Sequence, residues 1–241
     1  MTPYDYLACY YDELTKNVGY ARRARFIAGV LRRRGIRGLV LDAGCGTGNL
    51  TWLLAKMGFD MIGVDISETM LSIAQRKSES FHRCKTLFLQ QDVRALDLYG
   101  TVRCILCMQD TLNHLGDGLE QTLQRFSLFL EKGGIFIFDV NTQYKHEVVL
   151  SESFCFPIVG GLVVWKSRYE SEQGRVRIML KIADESGVQT VEFYEHDIST
   201  AQLQQLLKQY GYEILDVRDG ETYKPMTPTT QRVLYVTRKV E

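Results

Sequence analysis

The chain has 241 residues, a formal net charge of zero, 45% hydrophobic and 24% charged residues, which suits one large globular domain or a domain plus a lobe. A neutral chain has no overall field to draw it to nucleic acid or membrane, and no apolar run approaches the ~18 residues of a membrane span. Asp5, Asp12 and Glu13 with no apolar segment lead us to expect no signal peptide in this stretch. Six scattered cysteines (Cys9, Cys45, Cys84, Cys104, Cys107, Cys155) suit a reducing cytoplasm, where such thiols stay free.

In chain order, residues 1–19 are rich in tyrosine: Tyr4, Tyr6, Tyr10 and Tyr11. Such a segment either packs on the core or covers a ligand, since aromatic faces attract cations. Residues 20–34 read as a helix with Phe26, Ile27, Val30 and Leu31 on one face. Arg22, Arg25, Arg32 and Arg33 lie opposite, as a solvated stripe or an RNA contact. An apolar run then enters the loop Gly44-Cys45-Gly46-Thr47-Gly48, followed by a helix over about 49–57 that Gly58 ends. A strand follows at Asp60–Asp65, then a helix from the N-cap Ser67 to about Glu79, with Met70, Leu71 and Ala74 inward. Further strands fall at 87–92 and 104–108. A helix over about 117–132, stopped by Gly133-Gly134, precedes a fifth strand at 135–139. This alternation predicts a parallel sheet with helices on both faces. Cys104 and Cys107 form a CxxC within a strand, where i and i+3 point to opposite faces, which speaks against a shared metal or redox site.

From Phe154 to Asp197 the helical periodicity stops. Val176, Ile178, Leu180 and Ile182 alternate with Arg175, Arg177, Met179 and Lys181, a half-buried antiparallel strand with partners at 162–169 and 188–196. We read residues 153–197 as an inserted antiparallel lobe on the acceptor side, within a domain formed by 1–152 and 198–241. Ser199-x-x-Gln202 is a capping box for a helix to Tyr210, and two strands near 212–217 and 232–237 close the chain.

The glycine loop lets backbone approach a ligand closely. A dinucleotide loop reads G-x-G-x-x-G and holds a pyrophosphate. Here the third glycine comes early, at Gly48, with Asn49 in its place, and Asp42 precedes the loop. A carboxylate there repels a pyrophosphate and favours a cation. Asp42, Asp65, Asp92 and Asp110 all fall at strand ends, the edge where open α/β sheets bind ligands. Asp65 stands at the spacing of a ribose-binding carboxylate, and Asp92 is placed to accept from an adenine amino group.

VLDAGCGTG, GVDIS, QQDVR and CILCMQDTLNHL, in that order over residues 39–140, resemble the motif set of class I (Rossmann-like) S-adenosylmethionine (SAM)-dependent methyltransferases. The tyrosine-rich start and the insert resemble a bacterial small-molecule branch. The resemblance implies a seven-stranded, mostly parallel sheet with the last strand antiparallel. It implies SAM as cofactor, S-adenosylhomocysteine as product and no metal. By similarity Gly44, Gly46 and Gly48 underlie the methionine part and Asp42 lies near its ammonium. Asp65 takes the ribose and Asp92 the adenine. Cys45, Ile66, Met70, Val93, Met108, Gln109, Tyr11 and Tyr20 complete the implied cofactor set.

The acceptor stays open at this point. A small molecule is favoured, RNA (tRNA) is the alternative, and the oligomeric state is not legible. The Asn-Pro-Pro-Tyr signature of amino-nitrogen DNA methylation and the Pro-Cys nucleophile of cytosine-C5 methylation are absent. His114 and His196 are the candidate acid–base residues, with His146 further out; a lone histidine is more often a structural hydrogen-bonder, and that reading stands beside each. Tyr194 and Glu192 share a strand face with His196. An NAD-dependent oxidoreductase and a non-catalytic SAM-binding regulator are the rival readings.

Overall fold

The computed structural model describes residues 3–79 and 86–240; Cys84 lies outside them. The strands of the alternating region are β1 (Leu39–Ala43), β2 (Asp60–Asp65), β3 (Thr86–Gln90), β4 (Val102–Cys107) and β5 (Leu130–Asn141). With β10 (Tyr212–Asp219) and β11 (Arg232–Lys239) they form one seven-stranded sheet in the order β10-β11-β5-β4-β1-β2-β3. Neighbours from β5 to β3 are parallel, whereas β11 runs antiparallel to both β5 and β10. The chain proceeds in one direction from β1 to β3 and in the other from β4, so β1 and β4 flank the switch point where such sheets open a crevice.

Each face of the sheet is buried. On one side Leu41, Ile105, Phe136 and Phe138 pack with α5 (Leu119–Phe129) and α6 (Thr200–Gln209). On the other, Val40, Leu106 and Ile137 pack with α2 (Tyr20–Arg33) and α3 (Asn49–Lys56). Cys107 belongs to the first cluster and Cys104 to the second, so the CxxC does divide between the two faces. Ser67 caps α4 (Glu68–Glu79), its Oγ accepting the Met70 N–H at 3.1 Å, and Ser199 Oγ accepts the Gln202 N–H at 3.1 Å to cap α6.

Three elements differ from the sequence reading. Helix α5 ends at Phe129, and β5 begins at Leu130 and runs through Gly133-Gly134. Leu130 pairs with Val102 before a register shift, and Gly133 sits at φ 78°. The glycines thus form a bulge within a strand rather than a helix stop. The tyrosine-rich start folds as α1 (Pro3–Leu14). The insert has four strands, β6 (Phe154–Ile158), β7 (Gly161–Glu170), β8 (Arg175–Asp184) and β9 (Gly187–His196), in that order and all antiparallel. Their buried side, with Val176, Ile178, Leu180 and Ile182 from β8, shares a core with Leu7 of α1 and Leu150. Helix α1 therefore lies between the lobe and the main sheet.

Candidate active site

The loop after β1 is built on backbone that side chains resist. Gly44, Gly46 and Gly48 have φ of 74°, 53° and 74°. A Cβ at Gly44 would meet Thr111 at 2.7 Å, and one at Gly48 would meet the Ala74 Cβ at 2.9 Å. The Gly44 and Cys45 N–H groups donate to the Val64 carbonyl at 2.8 and 3.0 Å, which ties the loop to β2. At the end of β2, Asp65 accepts the Gly46 N–H at 2.8 Å and the Ser67 N–H at 2.9 Å. Burial raises the Asp65 carboxyl against the pull of these N–H donors.

A cavity of about 430 Å³ opens beyond these strand ends. Its floor carries Gly44, Gly46, Asp65, Ile66 and Met70, with Asp92, Val93 and Gln109 beside them. Tyr11 from α1 and the two candidate histidines, His114 and His196, are also on the wall. Tyr20, Asp42, Cys45, Gly48 and Met108 are not among the lining residues. Asp42 stands behind the loop, 2% exposed, and accepts the Thr51 hydroxyl at 2.5 Å. Burial pushes its carboxyl up to about 6. Tyr20 instead hydrogen-bonds Tyr11 from the far side.

Asp92 departs from the expectation of a carboxylate open to an adenine amino group. Both its oxygens are held by Arg94, with Nη2 at 2.5 Å from Oδ2, and Oδ1 also accepts the Arg94 N–H at 2.9 Å. The bonds from Arg94 keep its carboxyl below the usual range. The Asp-x-Arg spacing in the sequence carries this pairing, since a residue two positions on returns over its own cap.

The opposite wall comes from α1, the turn after β4 and the edge strand β9. Sequence reasoning did not assign Arg94, Thr111, Leu115 or Phe193 to it. Among the N-terminal tyrosines, Tyr4 and Tyr11 both reach the cavity. His114 Nδ1 is 3.2 Å from the Tyr194 carbonyl and Nε2 is 3.1 Å from the Tyr4 hydroxyl. Glu192, Tyr194 and His196 line the wall together with Phe193 of the opposite strand parity. Gln109 and Asp110 adopt left-handed φ of 60° and 53°, an uncommon conformation that turns the chain sharply out of β4.

Behind this wall runs a buried ionic network. Arg232 meets Asp110 at 2.8 Å, and Arg23 meets Asp139 at 2.7 Å. Desolvation would raise the Asp110 carboxyl, but the Arg232 charge holds it well below the ordinary range. The Asn141 amide donates to Asp110 at 3.0 Å and to Glu195 at 2.7 Å, joining main sheet to lobe. His146 is buried here, between Asp197 at 2.5 Å and Glu195 at 3.3 Å, away from the cavity wall. Burial alone would lower its value; the bonds to the two carboxylates outweigh that and raise it to about 9. Asp110, His114 and Glu195 place ligand atoms within 4.8 Å of one another, the spacing of a metal cluster. Arg232 already pairs with Asp110, and the Asn141 amide donates to both Asp110 and Glu195.

A seven-stranded sheet with its crevice at the β1/β4 switch point, a positive-φ glycine loop after β1 and a half-buried carboxylate ending β2 are features of the Rossmann-like class I SAM-dependent methyltransferase fold, and the similarities to known proteins support that class. Residues 40–134 match the family model of the methyltransferase domain. The chain is similar to a S-adenosylmethionine-dependent methyltransferase from Clostridium acetobutylicum ATCC 824: 27% identity, TM-score 0.84, covering 95% of this chain and 96% of that one. A Geobacillus sp. (strain WCH70) protein provisionally named a methyltransferase is 28% identical over 98% of this chain and 99% of its own. The ubiquinone biosynthesis O-methyltransferase of Coxiella burnetii (strain RSA 493 / Nine Mile phase I) is 29% identical over 52% of this chain and 50% of its own. Among the described residues no helix is long and apolar enough to cross a membrane.

Proposed function

We propose that the protein transfers a methyl group from SAM to a small-molecule acceptor within the cavity between the strand ends, α1 and β9. The observation that carries this reading is the meeting, in one cavity of about 430 Å³, of the glycine loop and Asp65 on one side and His114 and His196 on the other. The residues present fit SAM. The glycine cradle would lie under the methionine part, because a Cβ there has no room. Asp65 would take the ribose hydroxyls. Ile66, 43% exposed at the wall, and Met70 and Val93 would flank the adenine. Asp42 would act through the loop as a buried anion behind a cationic ligand. When bound, SAM supplies an electrophilic methyl on a sulfonium.

The protein's own part is to hold the acceptor in line and exclude water, which is how alignment accelerates a displacement. A small acceptor is supported by the cover that α1 and the lobe make over the cavity. It is also consistent with the ubiquinone-type O-methyltransferase among the relatives. The RNA alternative has less support, since Arg22, Arg25, Arg32 and Arg33 line no part of the cavity and Arg22 and Arg32 lie over Tyr223 and Phe59. We read the chain as cytoplasmic from its free thiols. Calorimetric titration with SAM, S-adenosylhomocysteine and NADH tests the cofactor; tight NADH binding without SAM binding establishes an oxidoreductase instead. A screen of metabolite pools, tRNA and protein extract with radiolabelled methyl donor tests the acceptor. Label in tRNA alone overturns the small-molecule reading, and SAM binding with no label anywhere establishes a regulator.

A further inference from the structure

The partners of His114 decide which of its nitrogens is basic. Nδ1 contacts the Tyr194 carbonyl, which can only accept, so the proton of the neutral ring sits on Nδ1. Nε2 then presents its lone pair to the cavity, and the hydroxyl that donates to it is that of Tyr4. Burial, then the charges of Asp110, Glu195 and Asp65, hold the Tyr4 hydroxyl well above its ordinary value, so it stays a donor. The charged and titratable neighbours of the imidazole come from each packed element. Asp110 Oδ2, from its own turn, is 3.9 Å from Nε2. Glu195 and His196 approach from β9 and Tyr4 from α1, while Arg232 stands behind Asp110 at 2.8 Å from it and also donates to Gln109 at 3.1 Å. A proton taken up at Nε2 therefore finds carboxylates at hand.

We propose that the methyl acceptor is a phenol whose hydroxyl replaces that of Tyr4 on His114 Nε2, making His114 the general base; this rests on the methyltransferase reading above. A phenol already occupies the position, in the shape of Tyr4. The surroundings are rings: Tyr4 and Phe193 are 5.4 Å apart, Tyr4 and His114 5.7 Å, and His114 and Phe193 5.6 Å. Such walls favour a flat aromatic ligand. Base strength narrows the class. An imidazole (~6.5) and a phenol (~10) differ by roughly three to four orders of magnitude in acidity, a gap that methyl transfer can draw over. Hydroxyls as weakly acidic as water (~15.7) lie about nine orders away. An ammonium group would match in acidity, and benzylamine separates it from the phenol in the test below. Three acidic residues at or behind the cavity wall already carry partners, Glu192 with Arg177 at 2.6 Å and the Tyr194 hydroxyl at 2.8 Å, Asp92 with Arg94, and Asp110 with Arg232. In the step itself the phenol oxygen bonds the methyl carbon as the carbon–sulfur bond breaks. That electron pair leaves on the thioether sulfur, and the phenol proton ends on Nε2.

The test uses the full chain with p-cresol, toluene and benzylamine as probes. Without methyl donor, p-cresol is expected to bind at least ten-fold more tightly than toluene, and His114→Ala to remove that preference. Ring nitrogen NMR is expected to show the Nδ1–H tautomer, with the Nε2 resonance moving on p-cresol addition. With SAM, radiolabel goes to p-cresol, and His114→Ala lowers kcat by about 10²–10⁴-fold while S-adenosylhomocysteine affinity stays within about two-fold. Tyr4→Phe, which removes the competing hydroxyl, is expected to lower the KM for p-cresol severalfold, a readout that does not depend on the histidine variant folding. Three results overturn the proposal with the methyltransferase reading intact: label on benzylamine and none on p-cresol, an Nε2–H tautomer, or a His114→Ala enzyme that keeps its kcat. Failure of the wild type to bind S-adenosylhomocysteine overturns both.

Discussion

Asp65 accepts the N–H of Gly46 at 2.8 Å across nineteen residues of chain, and with its other oxygen the N–H of Ser67 at 2.9 Å. One carboxylate thus joins the glycine loop, the end of β2 and the start of α4. Asp65→Ala is expected to weaken SAM binding about 10- to 150-fold, the ~1.5–3 kcal/mol of a hydrogen bond to a charged group. Asp65→Asn keeps the shape and loses the charge, so its loss should be smaller. Calorimetry reads both; an Ala variant that binds within two-fold of wild type removes Asp65 from the site.

Gly44→Ala forces φ of 74° on a residue with a Cβ and drives that atom to 2.7 Å from Thr111. We expect a loss of about 1–3 kcal/mol in stability, measured by urea unfolding. Adding Thr111→Ala removes the clash and leaves the backbone strain, so the double variant should recover part of the loss. Full recovery would show that φ contributes nothing.

Asp42 is an acid raised from 3.8 to about 6 by burial. Its charged form is therefore disfavoured in the folded state. It lowers stability above pH 6, on the order of 2–3 kcal/mol, and the loss disappears as pH falls from 6 towards 4. Asp42→Asn, which can still accept from Thr51, should unfold at higher urea than wild type at pH 7.5 and at equal urea near pH 4. If the Asp42 charge supports a cationic ligand, SAM affinity falls as pH drops through about 6 in the wild type and stays flat in the variant.

His146 has the opposite sign. Its folded value is raised from 6.5 to about 9 by Asp197 and Glu195. The stabilisation is complete below pH 6.5 and is lost as pH rises through 9. With both ring nitrogens buried the effect is on the order of 2 kcal/mol. The difference in urea midpoint between wild type and His146→Gln should shrink between pH 6 and pH 10; a constant difference would show that the imidazole is neutral throughout.

Much of the sheet was legible because its signals are local. The glycine loop, the strand-end aspartates and the caps Ser67 and Ser199 each act within a few residues, and the structure finds them in the expected elements. The Gly133-Gly134 pair misled because a glycine pair ends a helix or bulges a strand with equal ease. Only the pairing of Leu130 with Val102 selects the second. Asp92 does line the cavity, while its pairing with Arg94, which takes both oxygens, was not foreseen.

By itself the sequence determined the parallel sheet, the ligand edge and the half of the cavity built from consecutive strand ends, since these depend on periodicity and on short-range backbone chemistry. The tertiary structure decided the other half. Tyr4 meets His114 across 110 residues and His114 meets Tyr194 across 80. Asn141 joins Asp110 to Glu195 in the same way. Contacts of that separation carry no local pattern. They exist because α1 and the lobe bury one shared apolar core, and that burial brings β9 to the turn after β4.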